Sequence, residues 1–387
     1  MATKLILPLL CFLVFYTIFY TFEINGASKL VKACIATGKL PASDAALRQI
    51  YTGIAPLDRL LTILVVFFWP LTDGSNLSLL VHGIGFSGAF GSIWVLVTLE
   101  SWRKGNAWKL VAFPMVFGLV AQAMTIAFAA PLYFAIQLFT SSTAIKPTAE
   151  NIRVPRAVLN AIPLAFVVGY LVPTNLMLIP VSEIVTTDLK QILVSLWQPW
   201  PAYISILLTL AYLAFSPSIT NDRTVEGSRA TLRSLRWVYA FAFANTALTH
   251  IISWIIPLAT VAVPLIFKKE FLQPLHPLVV FDVPKPWGAP VIVENVGAGV
   301  HAFLRWDYII SSTATLVWAL SLYRAAHRVV YGRIQSGCVD LLVKVAVLVT
   351  LTGPVGAAVE LLWERDELVL SNTGGSRRTA AAEKKVV

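Results

Sequence analysis

A chain of 387 residues with 57% hydrophobic and 13% charged side chains and a mean hydropathy of +0.74 is not a soluble domain, in which about a quarter of residues carry charge. The formal charge of +10 sits largely in loops and the tail, where basic residues set orientation and meet anionic lipid. No nucleic-acid partner is expected, since no basic segment is interleaved with a soluble fold. The expected class is all-α: a polytopic transmembrane helix bundle of eight or nine spans, with 1–370 as one domain and 371–387 as a disordered polar tail.

In chain order, residues 5–22 read as a retained first span, long and without a small-x-small cleavage site. Residues 23–59 are a loop of mixed polarity expected to hold an amphipathic interfacial helix. A short second span over 60–71 ends in Trp69-Pro70-Leu71-Thr72-Asp73-Gly74-Ser75-Asn76, which is turn chemistry. The third span, 77–99, places Gly85 with Ala89 and Gly88 with Ser92 at the four-residue spacing that lets helices approach closely. A long apolar run follows over 110–139, kinked or ended at Pro114 and Pro131, then a span over 157–180. A short interfacial helix is expected around 182–196, and Trp197, Trp200 and Tyr203 read as the aromatic belt where the next span, 201–215, begins.

The span 237–267 is longer than a bilayer needs, and 268–300 is a proline-rich segment read as an ordered extended cap. Spans 303–323 and 341–363 close the bundle, and no internal repeat is present. Orientation stays open: placing the basic residues near 103–109, 223–236 and 324–333 on one side requires an even number of crossings over 110–216, where the pattern gives three.

Several chemistries leave no trace. There is no P-loop, GxSxG, CxxC or HExxH pattern, and His82, His250, His276, His301 and His327 lie far apart. Cys11, Cys34 and Cys338 show neither metal-ligand spacing nor a disulfide framework. Diphosphate chemistry needs aspartate-rich magnesium sites, and the nearest hint, Asn221-Asp222, has no second carboxylate at helical spacing. No metal and no cofactor are expected.

What remains is a set of isolated carboxylates among 12 tryptophans, 21 phenylalanines and 11 tyrosines. Asp307 stands out, inside the first turns of an apolar run and flanked by Arg305, Trp306 and Tyr308. A carboxylate in a span costs roughly 2.5–3.5 kcal/mol at a central position and less near an end. Either it neutralises Arg305 or Lys344, or it has work to do. An apolar setting disfavours the anion, so a carboxyl there can hold a proton and deliver it to an oxygen or an alkene. Aromatic faces then stabilise the resulting cation by about 0.5–2 kcal/mol each. Asp307, Glu100 and Asp73 are the candidate catalytic carboxylates; Trp306, Tyr308, Trp69, His82 and Arg305 are candidates to line the substrate site. The bland alternatives are an ion pair of Glu100 with Arg103 at a loop edge, a turn cap at Asp73, and interhelical hydrogen bonds for His82 and His250.

Three stretches carry a resemblance: Phe68-Trp69-Pro70-Leu71-Thr72-Asp73-Gly74, Glu100-x-Trp102-Arg103-x-Gly105-Asn106, and Leu304-Arg305-Trp306-Asp307-Tyr308 with Trp318. With the chain architecture over 55–365 they resemble the fungal integral-membrane terpene cyclases of meroterpenoid biosynthesis. The resemblance implies a membrane-bound, cofactor-independent cyclase, expected in the endoplasmic reticulum, acting on a lipophilic prenylated (farnesyl-type) aromatic substrate. It also implies one Glu and one Asp as acid residues, which by position are Glu100 and Asp307. The competing expectations are a sterol-isomerase-like lipid-modifying enzyme and an exporter or binding protein for a lipophilic small molecule; oligomeric state is left open.

Overall fold

A computed structural model describes residues 2–216, 225–333 and 337–383. Asn221-Asp222, Arg223, the side chains of 372–383 and residues 384–387 of the polar tail lie outside the described residues. Among the described residues the fold is helical, and the one β feature is an isolated bridge between Lys39 and Ala46.

The first helix, α1 (Ala2–Val14), continues through a π-helical stretch, Phe15–Tyr20, to Ile24. The amphipathic helix expected in the following loop is α2 (Ala27–Thr37). Then come α3 (Ala55–Thr72) and α4 (Leu77–Ser101), joined by a turn in which Gly74 adopts φ 80°. Asn76 caps α4, its side-chain oxygen accepting the Leu79 amide at 3.0 Å. The apolar run 110–139 divides into two short helices, α5 (Pro114–Ala123) and α6 (Ile126–Thr140). Next are α7 (Arg156–Phe166), extended by a π turn to Leu178, α8 (Thr187–Trp197) and α9 (Trp200–Phe215). Three long helices finish the bundle: α10 (Val225–Ala262), α11 (Val296–Tyr331) and α12 (Cys338–Glu383).

By length and apolar character six described helices can cross a membrane, or up to seven if the α8–α9 pair, bent by 57°, is one broken span. The number is below the eight or nine expected, for two physical reasons. The 110–139 run is interrupted at Met124-Thr125, so neither half is long enough alone. Helix α11 is diluted by Arg305, which is half-buried, and by Asp307, Ser311, Ser312 and Thr315, which are buried inside the bundle.

The centre of the bundle is α4, 78% buried over its apolar window where α1 and α10 are 28% buried. It packs against α10, and its small residues make that possible: a Cβ at Gly88 would overlap the Thr249 side chain, and one at Gly85 would lie 2.7 Å from Ser253 Oγ. The spacing read from the sequence therefore marks a true helix contact. Helix α11 packs against α12, α6 and α4. Helix α12 breaks at Gly353, where φ is 77° just before Pro354; a Cβ there would sit 3.0 Å from His250 Nδ1.

The expected interfacial belt at 197–203 is corrected in part. Trp197 and Trp200 are 4% and 0% exposed. Trp200 packs edge-on to Phe90 and Trp94, with ring centroids 5.2 and 5.9 Å apart, and Trp197 meets Phe68 at 5.2 Å. The kink between α8 and α9 turns these indoles into the bundle, and only Tyr203 reaches back along the chain to bond the Leu196 carbonyl at 2.8 Å.

Residues 268–300 hold two short helices, Lys269–Leu272 and Pro277–Phe281, and are tied to the bundle by named bonds. The Val293 amide donates to Asn25 O, Tyr16 Oη to Pro286 O and Trp306 Nε1 to Pro284 O, each at 3.0 Å.

Candidate functional site

Asp307 lies on α11 with 3% of its surface exposed. Its Oδ1 accepts the Ala127 amide at 2.7 Å, and the Thr125 side chain is a second donor to the carboxyl. Those two residues open α6, whose own cap is Thr125. The carboxyl therefore supplies the free amides of a helix N-terminus, where partial positive charge favours an anion. Neither cation named as its partner is used. Arg305 donates instead to the Val279 and Val280 carbonyls and approaches His301 Nδ1 at 3.3 Å, while Lys344 pairs with Glu364. Among the described residues no salt bridge reaches Asp307. Its surroundings are apolar: Val14, Ile18, Ala127 and Ile310 are buried there, with Phe19, Phe128, Phe303 and Trp306 against them. Phe303, one turn before Asp307, meets Phe67 of α3 at 5.0 Å and Phe22 at 5.7 Å.

A cavity of about 530 Å³ lies between the 48–64 segment, α5 and the end of α8. Leu57, Leu60, Leu61 and Leu64 form one apolar wall, and Leu119, Gln122 and Ala123 close α5's side. Ala123, on this wall, stands two residues before Thr125 in the chain. Its rim is fixed by polar contacts. Arg48 bonds Asp188 through Nε and Nη2 at 2.8 and 2.6 Å, and its amide donates to Gln191 at 2.8 Å. Asp58 gathers the amides of Tyr51, Thr52 and Gly53 at 3.1, 2.7 and 3.0 Å, which pins the loop that carries Tyr51. Burial pushes the Tyr51 phenol above its ordinary value, so it stays protonated.

Glu100 occupies a different place. Its Oε1 accepts Arg103 Nε at 2.6 Å and Arg365 Nη2 at 2.9 Å; its Oε2 accepts Gln137 Nε2 at 3.2 Å and Thr143 Oγ1 at 3.1 Å. Arg103 reaches on to Asp366 at 2.7 Å, Arg365 bonds the same carboxylate at 2.8 Å, and Tyr239 donates to it at 2.7 Å. The ion pair with Arg103 read from the sequence is present, but its two side chains are each 1% exposed, so it is the centre of a buried network and not a loop edge. Asp73 is the turn cap: Oδ1 accepts the Ser75 amide at 2.8 Å and its hydroxyl at 2.7 Å.

The candidate lining residues cluster elsewhere than the cavity. His82, His301, Arg305 and Tyr308 meet where α4 and α11 face the proline-rich segment, with the His82 ring 5.5 Å from His301 and 5.9 Å from Tyr308. His82 Nδ1 is buried without a hydrogen-bond partner, whereas His250 makes an interhelical contact with Thr350 O at 3.3 Å. Trp69 is buried beneath the Lys190 ammonium, 6.0 Å from its ring centre. None of these residues lines the 530 Å³ cavity. Among the described residues no cluster of His, Cys, Asp or Glu has the composition to hold a metal.

Sequence reasoning missed three buried ions: Arg365, Asp366 and Lys190, all 0% exposed. Lys190 donates to the Thr72 and Ile179 carbonyls at 2.5 and 2.9 Å. Arg365-Asp366 lie just beyond the expected span 341–363, yet apolar residues continue through Leu368, Val369 and Leu370, and that continuation was the available signal.

The CtvD domain model matches residues 3–370 of the chain. The chain is 30% identical over 351 residues to the terpene cyclase ctvD of Aspergillus terreus, covering 89% of this chain and 92% of that protein. It is 32% identical over 323 residues to the terpene cyclase ascI of Acremonium egyptiacum, covering 82% and 79%. To the terpene cyclase atmA of Aspergillus flavus it is 26% identical over 365 residues, covering 91% and 93%. No solved structure matches.

Proposed function

The chain belongs to the CtvD family, and from that membership we propose that it is a membrane-bound terpene cyclase that protonates a terminal epoxide or alkene on a prenylated aromatic substrate. The observation that carries the mechanism is Asp307: a buried carboxyl with two neutral donors, no cation and a wall of phenylalanines. As the acid it gives its proton to the epoxide oxygen or alkene carbon, and the electron pairs of the prenyl chain then close the rings. The carboxylate left behind is already held by the Ala127 amide and Thr125 at a helix N-terminus, so no reorganisation is needed when charge appears. The cation faces Phe303, Phe67, Phe19 and Phe128, each contributing about 0.5–2 kcal/mol of cation–π stabilisation. Loss of a proton to the carboxylate restores the acid, and substrate and product have the same mass.

Glu100 does not serve as a proton source in this scheme. Both its oxygens are filled by donors, two of them guanidinium, so it stands as a carboxylate that fixes α4 to α12. Asp73 fixes the α3–α4 turn. The enzyme works without metal or redox cofactor, in the endoplasmic reticulum, on a meroterpenoid precursor. Expression in a microsomal host fed with farnesyl phenols and their terminal epoxides tests the activity. A product of unchanged mass, shifted retention and new ring protons by NMR is expected; return of every prenylated aromatic unchanged from membranes containing folded protein would refute the proposal.

A further inference from the structure

We infer that the end of the bundle carrying the arginine and lysine clusters is its cytosolic face, seated on anionic phospholipid headgroups, and that α5–α6 and α12 are re-entrant hairpins rooted in that face instead of spans. Neither point depends on the cyclase reaction. The hairpins follow from contacts between residues far apart in sequence. Lys344 and Glu364 form an ion pair, yet stand 20 residues apart on α12. Twenty residues of straight helix extend about 30 Å, farther than two side chains can bridge. The chain therefore turns back at Gly353-Pro354, where Gly353 adopts φ 77° and Pro354 has no amide to continue the helix. The Thr350 carbonyl that Pro354 leaves free is met by His250 Nε2 at 3.3 Å. The α5–α6 pair closes the same way. Lys109 Nζ donates to Thr140 O at 2.9 Å across the mouth, Tyr133 Oη donates to Val111 O at 3.1 Å, and the Phe117 and Tyr133 rings lie 5.1 Å apart. Its tip is the break at Met124-Thr125. The two tips reach consecutive residues of α11. Asp307 takes the Ala127 amide at the first, and a Cβ on Gly353 at the second would stand 3.4 Å from Tyr308 Oη.

Both mouths open at one end of the bundle. There the Lys104 amide donates to Arg153 O at 2.9 Å and the Gly105 amide to Asn151 O at 2.8 Å. Arg236 pairs with Glu367, and Ile152, Ala326 and Val369 share one apolar cluster. Segments 103–109, 146–156, 229–236 and 324–333 thus meet, and each carries three basic residues. At the opposite end the Val293 amide reaches Asn25, and Lys190 reaches Thr72 and Ile179. Loops 73–76 and 179–187 there hold no lysine or arginine, and 268–294 balances three lysines with three acids. Helix α7 leaves the basic end toward Ile179, and the bent α8–α9 pair returns to it, where Tyr212 meets Trp102 at 5.3 Å. With α5–α6 folded back, these two are the crossings between 110 and 216, an even number that keeps every basic segment on one side. Lysine and arginine concentrate in cytosolic loops and are attracted to anionic lipid. Trp108, 93% exposed between Lys104 and Lys109, stands where an interfacial anchor belongs.

The full chain is synthesised into sealed endoplasmic-reticulum microsomes with a single epitope tag placed after Trp108, Thr148, Gly288, Gly332 or Val387. In vesicles whose lumenal marker stays intact, added protease should remove every tag except the one after Gly288. Loss of the tag on only one side of α5–α6 (Trp108 against Thr148) or of α12 (Gly332 against Val387) would make that element a span and overturn its hairpin. A digested Gly288 tag, or protection of the other tags, would overturn the orientation. For the lipid contact, the full chain is melted in nanodiscs of phosphatidylcholine with and without phosphatidylserine. Wild type should show a higher thermal midpoint with phosphatidylserine, and Arg324→Gln/Arg328→Gln, which changes two exposed side chains at the basic end, should lose most of that shift. Equal midpoints for wild type in the two lipids, or an undiminished shift in the variant, would remove anionic headgroups from this face. Turnover is not read in either experiment, so the outcome stands whether or not a prenylated aromatic is cyclised.

Discussion

Glu100→Gln separates a structural anchor from a chemical acid. In the wild type two carboxylates, Glu100 and Asp366, face two guanidiniums, Arg103 and Arg365, at 2.6–2.9 Å, and all four groups are at most 2% exposed. Glutamine leaves one positive charge uncompensated. It also keeps a single acceptor oxygen where four donors now converge, so whichever way the amide turns, two of them meet an NH₂ group. Removing one partner of a buried pair costs about 3–5 kcal/mol, at least two orders of magnitude in the folding equilibrium. The detergent-solubilised variant should therefore accumulate poorly and lose several degrees of thermal midpoint. Glu100→Gln/Arg365→Gln restores neutrality and leaves Asp366 with Arg103 and Tyr239, so the double variant should be less destabilised than the sum of the single ones, by about 0.5–3 kcal/mol. A Glu100→Gln protein as stable as wild type but devoid of turnover would refute the anchor and return Glu100 to the chemistry.

Two further outcomes can be checked directly. Gly88→Val drives two extra methyls and a Cβ into Thr249 at the α4–α10 contact, an overpacking expected to cost about 1–3 kcal/mol, read as a lower thermal midpoint or aggregation on size exclusion; an unchanged profile would mean the helices do not approach as described. Membranes washed with chelator and stripped of nucleotides should keep full cyclisation, and activity that magnesium alone restores would place diphosphate chemistry back in contention.

The helices were largely legible because hydrophobic runs and turn residues carry them. The Asp73–Asn76 turn, the amphipathic α2 and the close α4–α10 contact all follow from local spacing. The interruption of 110–139 was not legible. Its two prolines start or lie within helices, whereas the break falls at Met124-Thr125, held open by a carboxylate 180 residues away. Asp307 could be picked out by the cost of its setting, but not its partners. Glu100 and Arg103 sit three residues apart and could be paired by eye; Arg365 and Asp366 join them from more than 260 residues along the chain. Tyr51, Gln122 and Gln198 carry no motif at all, and only the fold brings them to the lining of one cavity.

Asp307→Asn tests the central claim most directly. Asparagine keeps the volume and caps a helix as well as aspartate does, so the Ala127 amide stays satisfied and α6 keeps its start. Only the transferable proton is lost. With abundance, thermal midpoint and turnover measured in the same membrane preparation, the variant should match wild type in the first two and lose about 10²–10⁴-fold in the third. Wild-type turnover per folded molecule in Asp307→Asn would contradict the account and remove Asp307 from the mechanism.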